Sequence, residues 1–426
     1  MNRDKAISTV RFCTEYPDIE VEIIKIPDPA IDPALHEVVR QKLWTQIMSG
    51  RGPDLFFLDS PALDFEGFFP DVEKAMRSGI FCDLLPMFTD PLTGQVLVNV
   101  DKYSDVMLEA GQLDGQQFVM PLMYNFTTVV TNDITRERLG ITDISGTAET
   151  LAGLRRVFAS PGAGRMAVSA GGGHITRLFK DGQPEAIFLN PYDYASRAIV
   201  DYDAGTSQID TPLTRDILET GKFLWEHTQK LREEGWLRRS QVFSEAVTGA
   251  FEEYARSEDY VVVANQALAQ WDEGPFITNF YGFLPRVDAI PSEDGGVTAQ
   301  VTAFAAIRAN SSNKVNAMRF LAFALPSFRT LFYDNFYHSN YNDYTLGVKP
   351  IVDLSSFTGH WRLDGLNLQS RQSMERTVEL WNRVTATRFP VPKEVTDIIR
   401  QYYDSEIGLD DAIERMQNHW NISLDE

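Results

Sequence analysis

The stretch Gly111 to Asp133, GQLDGQQFVMPLMYNFTTVVTND, sets the tightest limit on the fold. Asp114-Gly115 signals a tight turn, because glycine supplies the positive φ such a turn needs. Phe118 to Val130 then run as an extended apolar segment, broken by Pro121 and by the polar pair Tyr124-Asn125. Proline removes a ladder donor, so a buried central strand accommodates it poorly. A strand that leaves one domain and enters another accommodates it better, and the polar pair then falls where the backbone bridges two lobes. An edge strand with a polar kink is the simpler alternative. At 426 residues the chain exceeds one typical core, and two domains are expected.

A net charge of −21 argues against a nucleic-acid or anionic-membrane surface, which needs clustered Lys and Arg. No apolar run is long enough to span a bilayer. Cys13 and Cys82 are the only cysteines; they allow either a disulfide or two buried thiols. The six histidines are scattered without metal-ligand spacing, so neither metal nor cofactor is expected. The run SAGGGHIT (169–176) has no GK[ST] and does not fit G-x-G-x-x-G, which argues against a nucleotide site.

Along the chain, residues up to Tyr16 read as the end of an amphipathic helix, and Ile19 to Ile26 (IEVEIIKI) alternates as a strand. Leu35 to Met48 reads as a helix closed by Gly50. Pro53 to Leu58 (PDLFFL) is a continuous apolar run that suits a buried parallel strand. Ligands of open α/β sheets bind beyond the carboxyl ends of strands. That rule makes Asp59 a candidate ligand contact, with the following loop through Phe69, which carries Asp64 and Phe65. Further helices are expected over Val72 to Ser78, Thr211 to Leu231, Ser311 to Ala324, Met374 to Arg388, Lys393 to Asp404 and Leu409 to Trp420. Short strands are expected at Tyr260 to Ala264 and Val297 to Ile307. Trp225 lies on the apolar stripe of its helix and reads as core. The tyrosine-rich run 333–346, including Tyr341, pairs flat apolar faces with hydroxyls, a composition suited to ligand contact, although a solvated loop is the simpler reading for most of its members.

Several segments, in order, resemble the extracellular solute-binding proteins of ABC importers, family 1, the maltose-binding-like group. They are Tyr16-Pro17-Asp18-Ile19 with its following strand, Ser49-Gly50 and Pro53-Asp54 before an apolar run, and Asp114-Gly115-Gln116 with Phe118, Pro121 and Asn132-Asp133. Ala306 to Lys314 (AIRANSSNK), followed by Ala317, Phe320, Leu321 and Phe323, completes the set. The resemblance implies an α/β, two-lobe periplasmic-binding-protein-like fold of type II, with a ligand cleft between lobes and hinge crossings. It implies lobe I over 1–126 plus 301–337 and lobe II over 127–300 plus 338–426. It further implies a non-enzymatic, monomeric protein that captures a sugar or oligosaccharide for ABC permease membrane subunits. Its place would be extracytoplasmic and lipid-anchored, in the periplasm or at the cell surface. The family places an aromatic after Asn-Pro, here Tyr192, and a tryptophan after its lobe II strand, here Trp271 with Asp272 beside it, against the ligand. The family also opens with a signal peptide, often a lipid-attachment cysteine, and a strand, none of which precedes Met1. A trimmed chain, a misplaced start and a natural truncation all accommodate that. A glycoside hydrolase with two carboxylates is the competing class, and a ligand-sensing receptor partner without transport is another.

Overall fold

The computed structural model describes residues 11–27, 32–60, 67–125, 128–131, 199–201, 204–233, 261–264, 286–289, 296–325, 344–345 and 383–425, with isolated positions at 151–153, 155, 159 and 292. Two compact units emerge. One comprises Met1–Tyr124, Val301–His338 and Thr345–Lys349; the other comprises Asn125–Gln300, Ser339–Tyr344 and Pro350–Glu426.

In the first unit, Asp32 caps helix α1 (Pro33–Met48) by accepting from Leu35 N–H at 3.0 Å, with Pro33 at the first position where its missing N–H costs nothing. Gly50, at φ +74°, ends the helix and turns the chain into strand β1 (Leu55–Asp59). Phe56 points from β1 into an aromatic core. Phe68 stacks on Trp44 at 5.5 Å between centroids, and Phe69 sets its edge to Phe56 (5.5 Å) and Phe81 (5.0 Å). Phe68 and Phe69 are 4% and 1% exposed, which assigns them to the core and not to a ligand-contacting loop. Short helices α2 (Val72–Arg77) and α3 (Asp105–Glu109) follow. Next comes the hairpin β2 (Gln112–Leu113) and β3 (Gln116–Gln117). Asp114 and Gly115 have φ of 51° and 76°, both central residues left-handed, as a two-residue hairpin loop requires.

Strand β4 (Val119–Asn125) continues from the hairpin, and the chain changes unit at its last residue. β10 (Val297–Ile307) returns it, changing unit between Gln300 and Val301. The sheet runs β1-β10-β4-β11, where β11 is Tyr344–Thr345. β1 pairs antiparallel with β10, Leu55 opposite Ile307 and Asp59 opposite Ala303. The parallel pairing expected for β1 is therefore corrected: its neighbour is the returning strand, which runs the other way. Pro121 is buried within β4.

In the second unit, β5 (Thr128–Thr131) lies between β8 (Val261–Ala264) and β9 (Arg286–Ala289), both antiparallel to it. A small hairpin joins β6 (Val200–Asp201) to β7 (Thr206–Ser207). Residues 384–388, expected at the end of a helix, instead form β12 (Val384–Arg388), which pairs parallel with the start of β10. The β-branched residues Val384, Thr385 and Thr387 favour a pleated surface, which pairing with β10 supplies. Helices α4 (Pro212–Glu233), α6 (Lys393–Tyr403) and α7 (Leu409–Asp425) pack together in this unit. Trp225 is 4% exposed and donates Nε1–H to Asp404 at 3.0 Å, a core anchor. Gly221 lets α6 approach: a Cβ there would lie 1.8 Å from the Tyr403 hydroxyl.

α5 (Lys314–Ala324) belongs to the first unit and buries Ala317, Met318, Leu321 and Ala324. Its N-cap position is Asn313, but the Asn313 side chain reaches Asp54 (3.1 Å), and Ser311 Oγ accepts the Asn313 N–H (2.9 Å). Ile19 to Ile26, expected as a strand, pair with no strand among the described residues. Cys13 and Cys82 are free thiols, and burial pushes Cys82 up to about 11.

Candidate functional site

Three positions in the first unit bear on the candidate site. β4 ends its part in that unit at Tyr124. β10 enters it at Val301. Asp59, at the carboxyl end of β1, sits opposite Ala303, two residues into the unit. The ladder continues one step, with Ser60 N–H donating to Thr302 O at 2.9 Å. β1 therefore places Asp59 close to the point at which β10 enters the unit.

Asp59 is exposed to solvent, yet surrounding protein removes enough water to push its carboxyl up to about 6. Desolvation is the cause, and among the described residues no cation or hydrogen-bond donor offsets it. Among the described residues the Asp59 carboxylate has no hydrogen-bond or ion-pair partner. By strand alternation, Ser60 leaves on the Phe56 face, opposite Asp59. Its hydroxyl is buried, with the residue 3% exposed, and has no hydrogen-bond partner. Nothing in the sequence marks that hydroxyl, since a serine after a strand reads first as a turn or cap residue.

Tyr124 and Asn125 lie in β4, at the change of unit. Asp64, Phe65, Tyr192, Trp271, Asp272 and Tyr341 lie outside the described residues. Among the described residues no cluster of His, Cys, Asp and Glu could hold a metal ion, and no helix is long and apolar enough to cross a membrane.

Asp59 gives a direct test of this strain. Its folded-state carboxyl titrates at about 6, above the roughly 3.9 of an unfolded chain. The folded protein therefore binds the extra proton, and the stability this gives is present below about pH 4 and lost as pH rises through about 6. Asp59→Asn removes the penalty. The variant should unfold at a higher temperature than wild type at pH 7.5, by about 1 kcal/mol after discounting for solvent screening, and match it at pH 4. Equal melting at both pH values would show that Asp59 carries no such strain.

No family model matches the sequence, and no curated protein matches it. Solved structures do. An extracellular solute-binding protein family 1 member from Alicyclobacillus acidocaldarius aligns over 99% of this chain and 95% of its own, at TM-score 0.52 and 13% identity. The chain has the fold of the extracellular solute-binding proteins. A chitin oligosaccharide binding protein aligns over 98% of this chain and 94% of its own, at TM-score 0.56 and 14% identity. UgpB from Mycobacterium tuberculosis, in complex with glycerophosphocholine, aligns over 99% and 95%, at TM-score 0.51 and 15% identity. A solute-binding fold thus accounts for the whole chain, and the α/β architecture implied by the sequence is the one observed.

Proposed function

We propose that the protein is the extracytoplasmic solute-binding component of an ABC importer, which captures a sugar or oligosaccharide and delivers it to a membrane permease. The likeness to solute-binding proteins over the whole chain carries the reading. Asp59 supports it further, because a carboxylate with no partner among the described residues suits a ligand rich in hydroxyl donors. In this reading Asp64, Asn125 and Asp272 serve the same donors. Phe65, Tyr124, Tyr192, Trp271 and Tyr341 stack against sugar C–H faces. The crossings in β4 and β10 act as the hinge, so that ligand shifts the population towards a closed form the permease recognises. The protein itself performs no chemistry on the ligand, and a lipid anchor holds it at the outer face of the membrane.

A thermal-shift screen against mono- and oligosaccharides, with amino acids and polyamines as controls, tests this. A true ligand at 100 times its Kd stabilises by about 2.7 kcal/mol. Turnover of a chromogenic glycoside would instead establish the hydrolase. Once a ligand is found, Trp271→Ala should weaken it by roughly 2 kcal/mol, as for a buried aromatic anchor. Unchanged affinity would take Trp271 out of the site.

A further inference from the structure

The hairpin between β2 and β3 turns on Asp114-Gly115, and the turn is loosely tied. Both residues are solvent-exposed. Asp114 is held at φ 51°, a strained left-handed conformation for a residue other than glycine. Among the described residues its carboxylate has no hydrogen-bond or ion-pair partner, and the Gly115 N–H meets no acceptor. Nothing lies within 4 Å of where a Gly115 Cβ would sit. The strand beyond is held firmly by contrast. Asp83 accepts the Gln117 N–H at 3.1 Å, and the Gln117 carbonyl accepts the Leu84 N–H at 2.7 Å.

An aspartate carboxyl carbon can close a five-membered ring on the amide nitrogen of the next residue. A side chain on that next residue obstructs the approach, and glycine has none. Leaving a strained φ also offsets part of the cost of reaching ring geometry. We propose that Asp114 is a site of spontaneous isomerisation to isoaspartate. The Gly115 nitrogen attacks Asp114 Cγ. The N–Cγ bond forms, the Cγ–O bond breaks, and the nitrogen's proton leaves with the carboxyl hydroxyl as water. Water then opens the succinimide at either carbonyl, and the chain returns to aspartate or runs on through Cγ as isoaspartate. Nothing is oxidised or reduced, and water is the only co-reactant. The new linkage lengthens the backbone of a two-residue loop, so the β2–β3 pairing must give, with the Gln112 to Gln117 side-chain bond of 3.0 Å. Asp83 keeps Gln117 in place, and the change marks aged molecules without unfolding the unit.

The full chain, kept folded in neutral buffer, tests this. Asp-N protease cleaves before aspartate and not before isoaspartate, so peptide mapping should show cleavage before Asp114 declining with time. Mapping also separates Asp114 from the other Asp-Gly pairs, Asp181-Gly182, Asp294-Gly295 and Asp364-Gly365, which lie outside the described residues. Asp114→Asn passes through the same ring with ammonia as the leaving group, and asparagine tolerates the left-handed turn. It should convert about tenfold faster, over a barrier about 1.4 kcal/mol lower, and gain the mass of acid over amide. Gly115→Ala, which obstructs the nitrogen, should slow conversion about tenfold. Circular dichroism checks that both variants fold. Cleavage before Asp114 that does not decline overturns the proposal, and so does an Asp114→Asn chain that keeps its amide. Conversion in Gly115→Ala as fast as in wild type overturns it too, because access to the nitrogen then plays no part.

Discussion

Arg308→Ala should unfold the first unit at markedly lower denaturant, with a loss of about 3–5 kcal/mol, the cost of removing one member from a buried charged network. Arg308 follows the last residue of β10 and is 7% exposed. Its guanidinium donates to Gly50 O (2.8 Å), Pro53 O (3.0 Å), Gly52 O (3.4 Å) and Asp54 Oδ1 (3.3 Å), and to the Asn310 side chain. Gly50 and Gly52 take φ of +74° and +115°, and this is what wraps their carbonyls around one cation. Asp54 completes the network. Burial alone would raise its carboxyl, but hydrogen bonds from Ser311 (2.6 Å) and Asn313 (3.1 Å), with the Arg308 charge, outweigh burial and hold it below its usual value. Alanine leaves several carbonyls without their donor and removes the one cation beside Asp54, which keeps only Ser311 and Asn313. Lysine should rescue poorly, because a single ammonium cannot reproduce the planar fork that serves carbonyls on two sides. Urea unfolding followed by far-UV circular dichroism reads the loss. A variant within 1 kcal/mol of wild type would show that the loop between α1 and β1 holds its shape without the arginine.

This network explains why two distant stretches are the most recognisable in the sequence. Ser49-Gly50 with Pro53-Asp54, and Arg308 to Asn313, are the two halves of one hydrogen-bonded unit, more than 250 residues apart. Local signals were legible wherever a single residue fixes the backbone. Asp114-Gly115 marked the hairpin, Pro212 the start of α4, and the small extended run Val297 to Ile307 the whole of β10. The strand-end position of Asp59 was legible because topology alone places it.

What needed a partner strand or a distant charge was not legible. Residues 384–388 continued a helical pattern until β10 offered an edge. Ile19 to Ile26 had the alternation of a strand with nothing described beside it. The Asp90–Arg319 pair, 229 residues apart, left no trace in either segment. In that pair the Arg319 hydrogen bond at 2.7 Å holds the Asp90 carboxyl down to about 2. Asp90 also accepts the N–H groups of Leu92 (2.8 Å) and Thr93 (3.2 Å), so its own partners shield it from solvent. That contribution to stability is present above about pH 4 and is lost as pH falls through about 2.

Gly111→Ala should cost about 3 kcal/mol, at the upper end for an overpacked position, and it strikes where β4 begins. Its φ does not demand glycine; space does. A Cβ at residue 111 would lie 1.9 Å from the Val119 carbonyl oxygen, 2.8 Å from the Val119 carbonyl carbon and 2.6 Å from Gln117 Nε2. The backbone atoms among these cannot swing aside as a side chain would. The Gly111 carbonyl also accepts from Phe118 N–H (2.9 Å) and Val119 N–H (3.2 Å). Buried Gln117 Nε2 donates to Leu108 O (3.0 Å) and Val119 O (2.6 Å). Relieving the clash therefore means parting a chain crossing that three of these hydrogen bonds hold, where Val119 and Met120 are fully buried. Gly115→Ala makes the matched control, since nothing lies within 4 Å of a Cβ there and its only cost is the positive φ of 76°, about 1 kcal/mol for a non-glycine residue held left-handed. Thermal unfolding of the two variants should rank Gly111→Ala well below Gly115→Ala. The reverse order would mean that the hairpin turn, and not the close crossing at Gly111, sets the start of β4.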